Sequence, residues 1–488
     1  MILGLSVATF VMMWPALYNG QPFFFPDTAD YVNAADAGVH KVTGMTSHWT
    51  QPEQSTLTTS AENHGTRVVP GKSVRAGRSI YYGTLLYLGD RAGGFWLSVG
   101  VQSLLLVLAL MLVLRNLKLT AWPCLGVLVL VVALLTPAAL FASFLMPDIF
   151  AGIAILACSM LISTGAPRRR RDDISWFVLL TLSLIMHTSH VMVAMLILAV
   201  SLLAYLTNYA KVSMHGLLLV GGALALAYVA GAGFNYAVTR FMGESPIMPP
   251  FITARTIEDG PGYQFLLDTC PENGFVVCGF LNRLPMSTDE FLWSHDPAHG
   301  VFGSTDDLTR RRLSHEQWPF VLAVVRHAPL AQSWASIHNA LRQIFLVSVP
   351  EFQYSDEEKR DLTRETPEIY KNAMRRTAAY RGTMPIGWLS FLSFSSMVVG
   401  IAYIAWALWS ADGMSSNDGG VVYRLAALVI IGVIGNAIVC ATISGPHDRY
   451  QARVIWLLPM IATTLHFARH ERWWRVTFSR LSRAIISN

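Results

Sequence analysis

Long apolar runs separated by short polar connections make up most of this 488-residue chain. The hydrocarbon core of a bilayer is about 30 Å thick and needs about 20 mostly apolar residues per helix, although shorter helices occur inside bundles. By this criterion the pattern predicts an all-α, polytopic membrane protein with about ten transmembrane helices. These crossings are predicted at residues 1–18, 95–114, 119–143, 147–164, 174–188, 190–206, 214–236, 386–410, 422–444 and 452–468.

Two long polar stretches, residues 19–94 and 237–385, interrupt the apolar runs. Within the first, residues 40–78 are rich in Ser, Thr, Gly and charge with little periodicity, which is typical of a mobile segment. The aromatic and aliphatic residues of 77–89 can line one face of a helix in the membrane interface. We expect 237–385 to fold as a small, mostly helical exported domain. It separates a transmembrane module, 1–236, from the C-terminal transmembrane helices and basic tail, 386–488.

The composition supports a membrane location. Hydrophobic residues make up 53% of the chain, charged residues only 14%, and the mean hydropathy is +0.42. A soluble globular chain carries about 25% charged residues, so the bilayer is the expected solvent. The net charge of +5 is not arranged as a basic stripe interleaved with aromatic residues, which argues against a nucleic-acid partner.

The basic residues predict the orientation. Short loops on one side carry 13 Lys and Arg residues, whereas those on the other side carry only Arg449 and Arg453. Because cytoplasmic loops are enriched in basic residues, the first side is predicted to be cytoplasmic and both long loops to be exported. The predicted location is the bacterial inner membrane. The 13 residues are Arg115, Lys118, Arg168, Arg169, Arg170, Arg171, Lys211, Arg424, Arg469, Arg472, Arg475, Arg480 and Arg483.

Residues 1–18 lack the basic n-region and the A-x-A cleavage site of a signal peptide, so we expect them to remain as the first helix. The cysteines fit the same topology. Cys124, Cys158 and Cys440 fall in apolar spans, where buried thiols are expected. Cys270 and Cys278 lie in the exported loop, where an oxidising compartment favours a disulfide between them over two free buried thiols.

Residue types that are common in catalytic and binding sites occur at four separate predicted outer turns. Ionisable groups at membrane depth are costly unless they are paired or face a water-filled cavity, so this pattern predicts a polar cavity open to the outside. The residues are Asp27, Asp30 and Tyr31 after the first helix, Asp148 between the third and fourth, His187 and His190 between the fifth and sixth, and His447, Asp448, Arg449 and Tyr450 before the last.

Each of these residues also has a purely structural interpretation. Asp27 is a suitable helix N-cap, and Asp148 follows Pro147 in a common helix-start pattern. His187 and His190, at i and i+3, are packing residues or two of the ligands of a metal whose third ligand is not evident. Arg449 is an anchor at the lipid headgroups or a phosphate ligand; its neighbours on an otherwise weakly basic side favour the phosphate.

These residue types suit transfer of a group from a lipid phosphate. A carboxylate accepts the proton of an acceptor hydroxyl, and an arginine with nearby histidines holds a leaving phosphate and stabilises its growing charge. A groove between apolar helices would hold the lipid tail that carries the phosphate.

The layout resembles the GT-C superfamily of polytopic membrane glycosyltransferases. The resemblance rests on the first helix and a Pro-Asp-containing outer loop with interfacial helices, on "GRSIYYG" at 77–83, "MPD" at 146–148, the histidine pair, and "RYQARVIWLLP" at 449–459. It covers residues 1 to about 236 in topology and returns at 445–460. Residues 237–385 carry no part of it.

The resemblance implies polyprenyl-phosphate-linked sugars as donors and a glycan, lipid or protein hydroxyl as acceptor. In this sequence it implies Asp27 as the catalytic base with Asp30 as the alternative, Asp148 as a second acidic residue, and Arg449 with Tyr450 near the donor phosphate. The histidines His187, His190 and His447 would bind substrate, and Tyr31 would shape the acceptor side. The chain lacks the D-x-D and W-W-D patterns of some members. No cofactor is firmly implied, and a divalent metal remains open.

Three other functions fit parts of the pattern. A transporter or flippase of lipid-linked intermediates would also need an outward cavity, but neither midplane charges nor an inverted repeat is evident. A polymerase or ligase of surface polysaccharide would use outer-loop arginines and histidines, such as Arg310–Arg312 and those of "WSHDPAHG" at 293–300. A receptor or scaffold would leave the charged turns unexplained.

Overall fold

A computed structural model describes residues 2–50, 77–119, 122–163, 169–410 and 417–470. Within these ranges the regular structure is helical apart from one isolated parallel bridge between Phe23 and Phe144, which confirms the predicted all-α class. Much of the predicted mobile segment lies outside the described residues, as do Arg168 and the tail with Arg472, Arg475, Arg480 and Arg483.

The first part of the chain forms eleven described helices. In chain order they are α1 Ile2–Met12, α2 Trp14–Asn19, α3 Pro26–Thr43, α4 Ile80–Gly93, α5 Trp96–Asn116, α6 Trp122–Leu135, α7 Ala138–Ala142, α8 Ile149–Ser163, α9 Arg170–Met186, α10 Thr188–Leu206 and α11 Met214–Met242.

The second long loop is also helical, and four helices follow it. The loop contains α12 Phe251–Glu258, α13 Pro261–Thr269, a 3-10 helix Val276–Arg283, α14 Thr288–Trp293, α15 Asp307–His327, α16 Pro329–Phe345, a 3-10 helix Pro350–Phe352, α17 Asp356–Glu365, α18 Glu368–Met374 and α19 Ala378–Arg381. The C-terminal part contains α20 Ile386–Trp409, α21 Asn417–Ile443, α22 Asp448–Ile455 and α23 Leu457–Arg469.

Five helices in the described part of the chain are long and apolar enough to cross a membrane. They span Trp96–Asn116, Thr188–Leu206, Met214–Phe241, Ile386–Trp409 and Gly420–Ile443, and each overlaps a predicted crossing. Helices α1, α6 and α8 are apolar but shorter. The chain is therefore a helical membrane protein, whereas the count of ten crossings stays a prediction.

Three predicted crossings are each divided into two helices. The first is divided between α1 and α2, with Pro15 in the first turn of α2, and the third between α6 and α7, with Pro137 immediately before α7. Proline lacks the N–H that continues a helix, so a new helix begins near it. The last predicted crossing is divided between α22 and α23 at Trp456.

The buried apolar side chains form two separate clusters. The larger one joins the apolar helices to residues 347–384. The smaller one lies within residues 247–324 and includes Phe265, Phe291, Phe302 and Phe320. The predicted exported domain, 237–385, is thus not a single packing unit, because its last quarter packs against residues of the first long loop.

Three contacts attach that last quarter to the beginning of the chain. The Phe352 ring meets the Phe23 ring edge-on, with centroids 5.0 Å apart. The backbone N–H of Phe24 donates to the Tyr354 hydroxyl at 2.9 Å. The backbone N–H of Ala379 donates to Asn19 Oδ1, also at 2.9 Å. These contacts bring the 3-10 helix Pro350–Phe352 to the first outer loop.

The smaller cluster carries the disulfide. Cys270 and Cys278 are joined, with their Cα atoms 5.7 Å apart, and they close a short segment between α13 and the following 3-10 helix. Cys124, Cys158 and Cys440 are free and buried. The predicted interfacial helix forms as α4 but buries Tyr82, Leu86 and other residues against its neighbours, and its place at the interface stays a prediction.

Candidate active site

The first outer loop is joined to the turn before α8 by backbone hydrogen bonds. Phe23 donates to the Ser143 carbonyl at 3.0 Å and accepts from the Leu145 N–H at 2.9 Å. The Thr28 hydroxyl donates to the Leu145 carbonyl at 3.2 Å and accepts from the Phe25 N–H at 2.9 Å. Asp27 is therefore fixed near the turn that carries Asp148.

A buried glutamine in a membrane-spanning helix supports this arrangement. Gln102 of α5 donates from Nε2 to the carbonyls of Ala142 and Phe144, both at 3.0 Å, and accepts from the Tyr82 hydroxyl at 2.9 Å. Buried polar groups need hydrogen-bond partners, and the Gln102 side chain is the partner of three such groups. It links α4, α5 and the turn.

Asp27 pairs with an arginine that the sequence analysis did not select. Its Oδ1 accepts from Arg78 Nη2, and the Asp27 side chain is 23% exposed. Its Oδ2 makes no hydrogen bond to any described residue. Asp30, one turn along α3, is buried, and its charge acts on Arg78. Of the two candidate bases, Asp27 is therefore the more accessible.

Arg78 also links the segment 237–385 to the site. Its guanidinium lies 6.0 Å from the Tyr31 ring centroid and 5.5 Å from that of Trp293, in α14. Tyr31 is buried, its hydroxyl has no hydrogen-bond partner among the described residues, and burial raises its pKa. The phenol therefore stays protonated and is available as a donor.

Asp148 is the centre of a buried ion-pair network. Its Oδ1 lies 3.1 Å from Arg453 Nη1 and 3.9 Å from Arg449 Nε. Arg453 Nη2 also lies 3.3 Å from both Ser189 Oγ and Asn436 Oδ1. These contacts let Asp148 hold two guanidinium groups in place, and its catalytic role stays a prediction.

Arg449 is held by aromatic rings as well as by Asp148. Its guanidinium lies 4.3 Å from the Phe25 ring centroid and 5.3 Å from the Tyr450 ring centroid. Such cation–π contacts fix the orientation of the planar group. Its Nη1 is buried and has no hydrogen-bond partner within the described ranges. The carboxylates of Asp27 and Glu351 act electrostatically on it.

The histidine pair lies beside this network. The His187 and His190 ring centroids are 5.4 Å apart. His187 Nδ1 is 2.8 Å from Ser189 Oγ, and His190 Nδ1 is 2.8 Å from the Ser183 carbonyl, to which it donates. His190 Nε2 is buried and has no described partner. No group of three or more potential metal ligands is found in the described part of the chain, so the metal hypothesis gains no support.

His447 and Asp448 connect the site to other elements. The backbone of His447 exchanges two hydrogen bonds of 2.8 Å with the Gln343 side chain. Asp448 Oδ1 accepts from the Ser348 N–H at 2.8 Å. Burial lowers the pKa of His447, whose ring packs edge-on against Tyr450 with centroids 5.3 Å apart. These residues fix the start of α22, from which Arg449 projects.

Sequence analysis missed the roles of Arg78, Arg453 and Glu351. Arg78 and Glu351 lie in the two long loops. The search for site residues concentrated on the short turns and on the start of the first loop. Arg453 was noted only as a basic residue on the outer side. Glu351 is half-buried, and its Oε2 has no hydrogen-bond partner in the described residues. A clearer signal was available for Arg453, which lies four residues after Arg449 on one helical face.

Two arginines of the 310–312 run, Arg310 and Arg311, have structural partners. Arg310 donates to the carbonyls of Phe302 and Gly303 and pairs with Asp307 at 2.9 Å. Arg311 pairs with Glu244. His295 Nδ1 is 3.0 Å from the Gly303 carbonyl. The residues that suggested a polymerase or ligase therefore serve in large part to hold this domain together.

The four turns that were predicted to face outward thus contact one another. Arg449 touches Phe25 of the first loop and Asp148 of the second turn, and Arg453 reaches Ser189 of the third. Comparison of the chain with protein-family models, curated proteins and solved structures finds no match. The fold and the long apolar helices define an all-helical membrane protein. Its function has to be argued from this cluster.

Proposed function

We propose that this protein is an integral membrane glycosyltransferase of the GT-C type. It moves a sugar from a polyprenyl-phosphate donor to a hydroxyl of a glycan, lipid or protein of the cell envelope. The reaction takes place on the outer, periplasmic side of a bacterial inner membrane. Asp27 is the general base, and Arg449 holds the donor phosphate.

The observation that carries the proposal is the position of Arg449. Its guanidinium is fixed by Asp148, Phe25 and Tyr450, and a buried Nη1 is left without a described partner. A buried donor without a partner costs roughly 1–3 kcal/mol, more when charged. A phosphate oxygen is the kind of acceptor that satisfies it, and arginine suits phosphate geometry.

In the proposed reaction Asp27 accepts a proton and Arg449 binds the donor phosphate. The acceptor hydroxyl oxygen attacks the anomeric carbon while its proton passes to Asp27 Oδ2. The bond from the anomeric carbon to the phosphate oxygen breaks, and the phosphate leaves with the electron pair. Arg449 stabilises the charge that grows on that oxygen. The protonated hydroxyl of Tyr31 is available to orient either substrate.

The test is a transfer assay of the purified protein in nanodiscs. Radiolabelled polyprenyl-phosphate and polyprenyl-diphosphate sugars serve as donors, and donor binding is measured separately from transfer. We expect Asp27→Asn to abolish transfer and retain donor binding, because only the proton acceptor is lost. Arg449→Ala is expected to weaken donor binding as well.

Matched variants separate these effects from general damage. Asp36→Asn changes another carboxylate of α3, which accepts from Ser47 and Thr50 away from Arg78. Arg469→Ala removes an arginine that stacks on Trp406 at the far end of α23. Both should keep transfer. A donor that binds but is never consumed by the native protein would instead support a transporter or flippase. Full activity of Asp27→Asn would contradict the role given to Asp27.

A further inference from the structure

Helix α16 presents an apolar stripe to the outside of the molecule. The stripe consists of residues spaced by three or four, so that they share one helical face. It is about 22 Å long at 1.5 Å per residue. All five side chains are more than half exposed, including Trp334 at 69% and Phe345 at 67%. The residues are Leu330, Trp334, Ile337, Leu341 and Phe345.

The opposite face of α16 is polar and buried. Gln332, Asn339 and Gln343 are its buried residues. Asn339 donates to Asp259 at 2.7 Å, and Gln343 bonds to the backbone of His447. A helix at the surface of a water-soluble domain has the reverse arrangement, with its apolar face inside. The arrangement of α16 is typical of a helix whose outer face meets hydrocarbon.

The stripe continues onto two neighbouring helices. In the second half of α15, Trp318, Leu322 and Val325 are exposed at the same kind of spacing. Helix α16 also packs along α21, one of the five candidate spans, which exposes Ile434 and Ile438. A contiguous exposed apolar surface of this size marks an interaction site. Here it joins a helix that is apolar enough to cross the membrane.

We propose that the second half of α15 and all of α16 form a hairpin embedded in the outer leaflet, with the stripe in contact with lipid acyl chains. The occupant is bilayer lipid because α16 packs along α21, a helix that is long and apolar enough to cross a membrane. Trp318 and Trp334 suit the membrane interface, and Arg342, at the border of the stripe, can extend toward the headgroups.

This insertion sets the height of the buried charge cluster around Arg449 relative to the bilayer. The last turn of α16 holds His447 through Gln343, and Arg449 follows two residues later. The hairpin thereby anchors the exported domain against the bilayer and keeps Trp293 over Arg78. The inference does not depend on the glycosyltransferase proposal, since it concerns only where the hairpin lies.

The experiment uses nitroxide labels on single introduced cysteines in the full chain, reconstituted in liposomes. The free native cysteines are buried, which directs the label to the introduced site. Leu341→Cys reports on the stripe. Leu308→Cys, an exposed leucine among the charged residues at the start of α15, is the matched control, and Ile434→Cys is the reference for lipid. Collisions with oxygen, which concentrates in lipid, are compared with collisions with a water-soluble nickel chelate.

We expect the label at Leu341 to resemble that at Ile434, with a ratio of oxygen to nickel accessibility several-fold higher than at Leu308. A Leu341 label as accessible to nickel as the Leu308 label would overturn the proposal. Protection of Leu341 from both reagents, with spin–spin broadening, would also overturn it and would assign the stripe to contact between two copies of the chain. Size-exclusion chromatography and circular dichroism in detergent check that each labelled protein is folded.

Discussion

At the scale of single residues, the cluster is a balance between buried charges of opposite sign. Asp148 compensates Arg453 at 3.1 Å and Arg449 at 3.9 Å. Removing one member of a buried ion pair is far more costly than losing an exposed one, because the remaining charge stays without compensation. Asp148 and Asp27 are therefore expected to behave differently when neutralised.

We expect Asp148→Asn to lower the free energy of unfolding by roughly 3–5 kcal/mol, since it leaves two buried guanidinium groups with reduced compensation. Thermal or denaturant unfolding in detergent measures the change. Asp27→Asn is the control, and it should cost less because the Asp27 side chain is partly exposed. Equal stability of Asp148→Asn and the native protein would show that the arginines do not depend on this carboxylate.

The carboxyl group of Glu351 is expected to make both stability and donor binding depend on pH. Burial raises its pKa to about 7, partly opposed by Arg449. Because the pKa in the folded state lies above the ordinary value of 4.5, this residue makes the folded state less stable as pH rises from about 4.5 through about 7. In the folded protein this carboxyl gains its negative charge around pH 7, and that charge competes with a donor phosphate for Arg449. Donor affinity should fall between about pH 6 and pH 8.

Glu351→Gln stays neutral and should remove that part of the pH dependence. Donor binding measured across the pH range for both proteins is the test. Glu357→Gln, which changes an exposed carboxylate in the first turn of α17 on the same segment, is the control and should keep the native profile. An unchanged pH profile in Glu351→Gln would show that another group titrates.

At the scale of helices, the site depends on a close approach between α3 and α4. A Cβ atom added at Gly83 would lie 2.3 Å from the Tyr31 carbonyl oxygen. Real Cβ atoms do not come that close, so only glycine permits this distance between the two helices. The approach brings Arg78, just before α4, to Asp27 at the start of α3.

Gly83→Ala should therefore separate the two helices, cost about 1–3 kcal/mol by overpacking, and reduce transfer by displacing Arg78 from Asp27. The melting temperature and the transfer rate are both measured. Gly38→Ala, in α3 where an added Cβ meets open space, is the matched control and should leave both unchanged. If the two variants behaved alike, the close approach would not be important for the site.

At the scale of the whole molecule, two apolar clusters divide the structure. The smaller cluster, within residues 247–324, contains the disulfide, and the larger one contains the membrane helices. Changes in one are expected to leave the other largely intact. The contact between Trp293 and Arg78 is one place where the smaller unit reaches the site.

Replacement of Cys270 and Cys278 by serine should destabilise the smaller unit by about 2–3 kcal/mol on the chain-entropy model, since a short loop is opened. Hydrogen exchange of the full-length protein should then accelerate in α12–α15 and remain slow in α5 and α21. Cys124→Ser, in the larger cluster, is the control and should not affect α12–α15. Uniform acceleration along the chain would mean that the clusters unfold together.

Much of this organisation followed from the sequence. The apolar runs predicted the helices because lipid-exposed backbone must form its own hydrogen bonds. Two of the predicted helices are interrupted near Pro15 and Pro137, because proline lacks the N–H that continues a helix. Asp27 and Arg449 were predicted as site residues because charge at membrane depth is costly, and the turns that carry them do meet. Length and composition also placed Cys270 and Cys278 together in one loop.

Only the tertiary structure decided which charge compensates which. The pairing of Asp27 with Arg78 and of Asp148 with Arg453 joins residues far apart in the chain. The electrostatic effect of Arg449 on Glu351 also acts between distant parts of the sequence. The parallel bridge at Phe23 and the packing of Phe352 bring these segments together. Hydrophobic periodicity reports which face of a helix avoids water, but it holds no information about which helix covers that face.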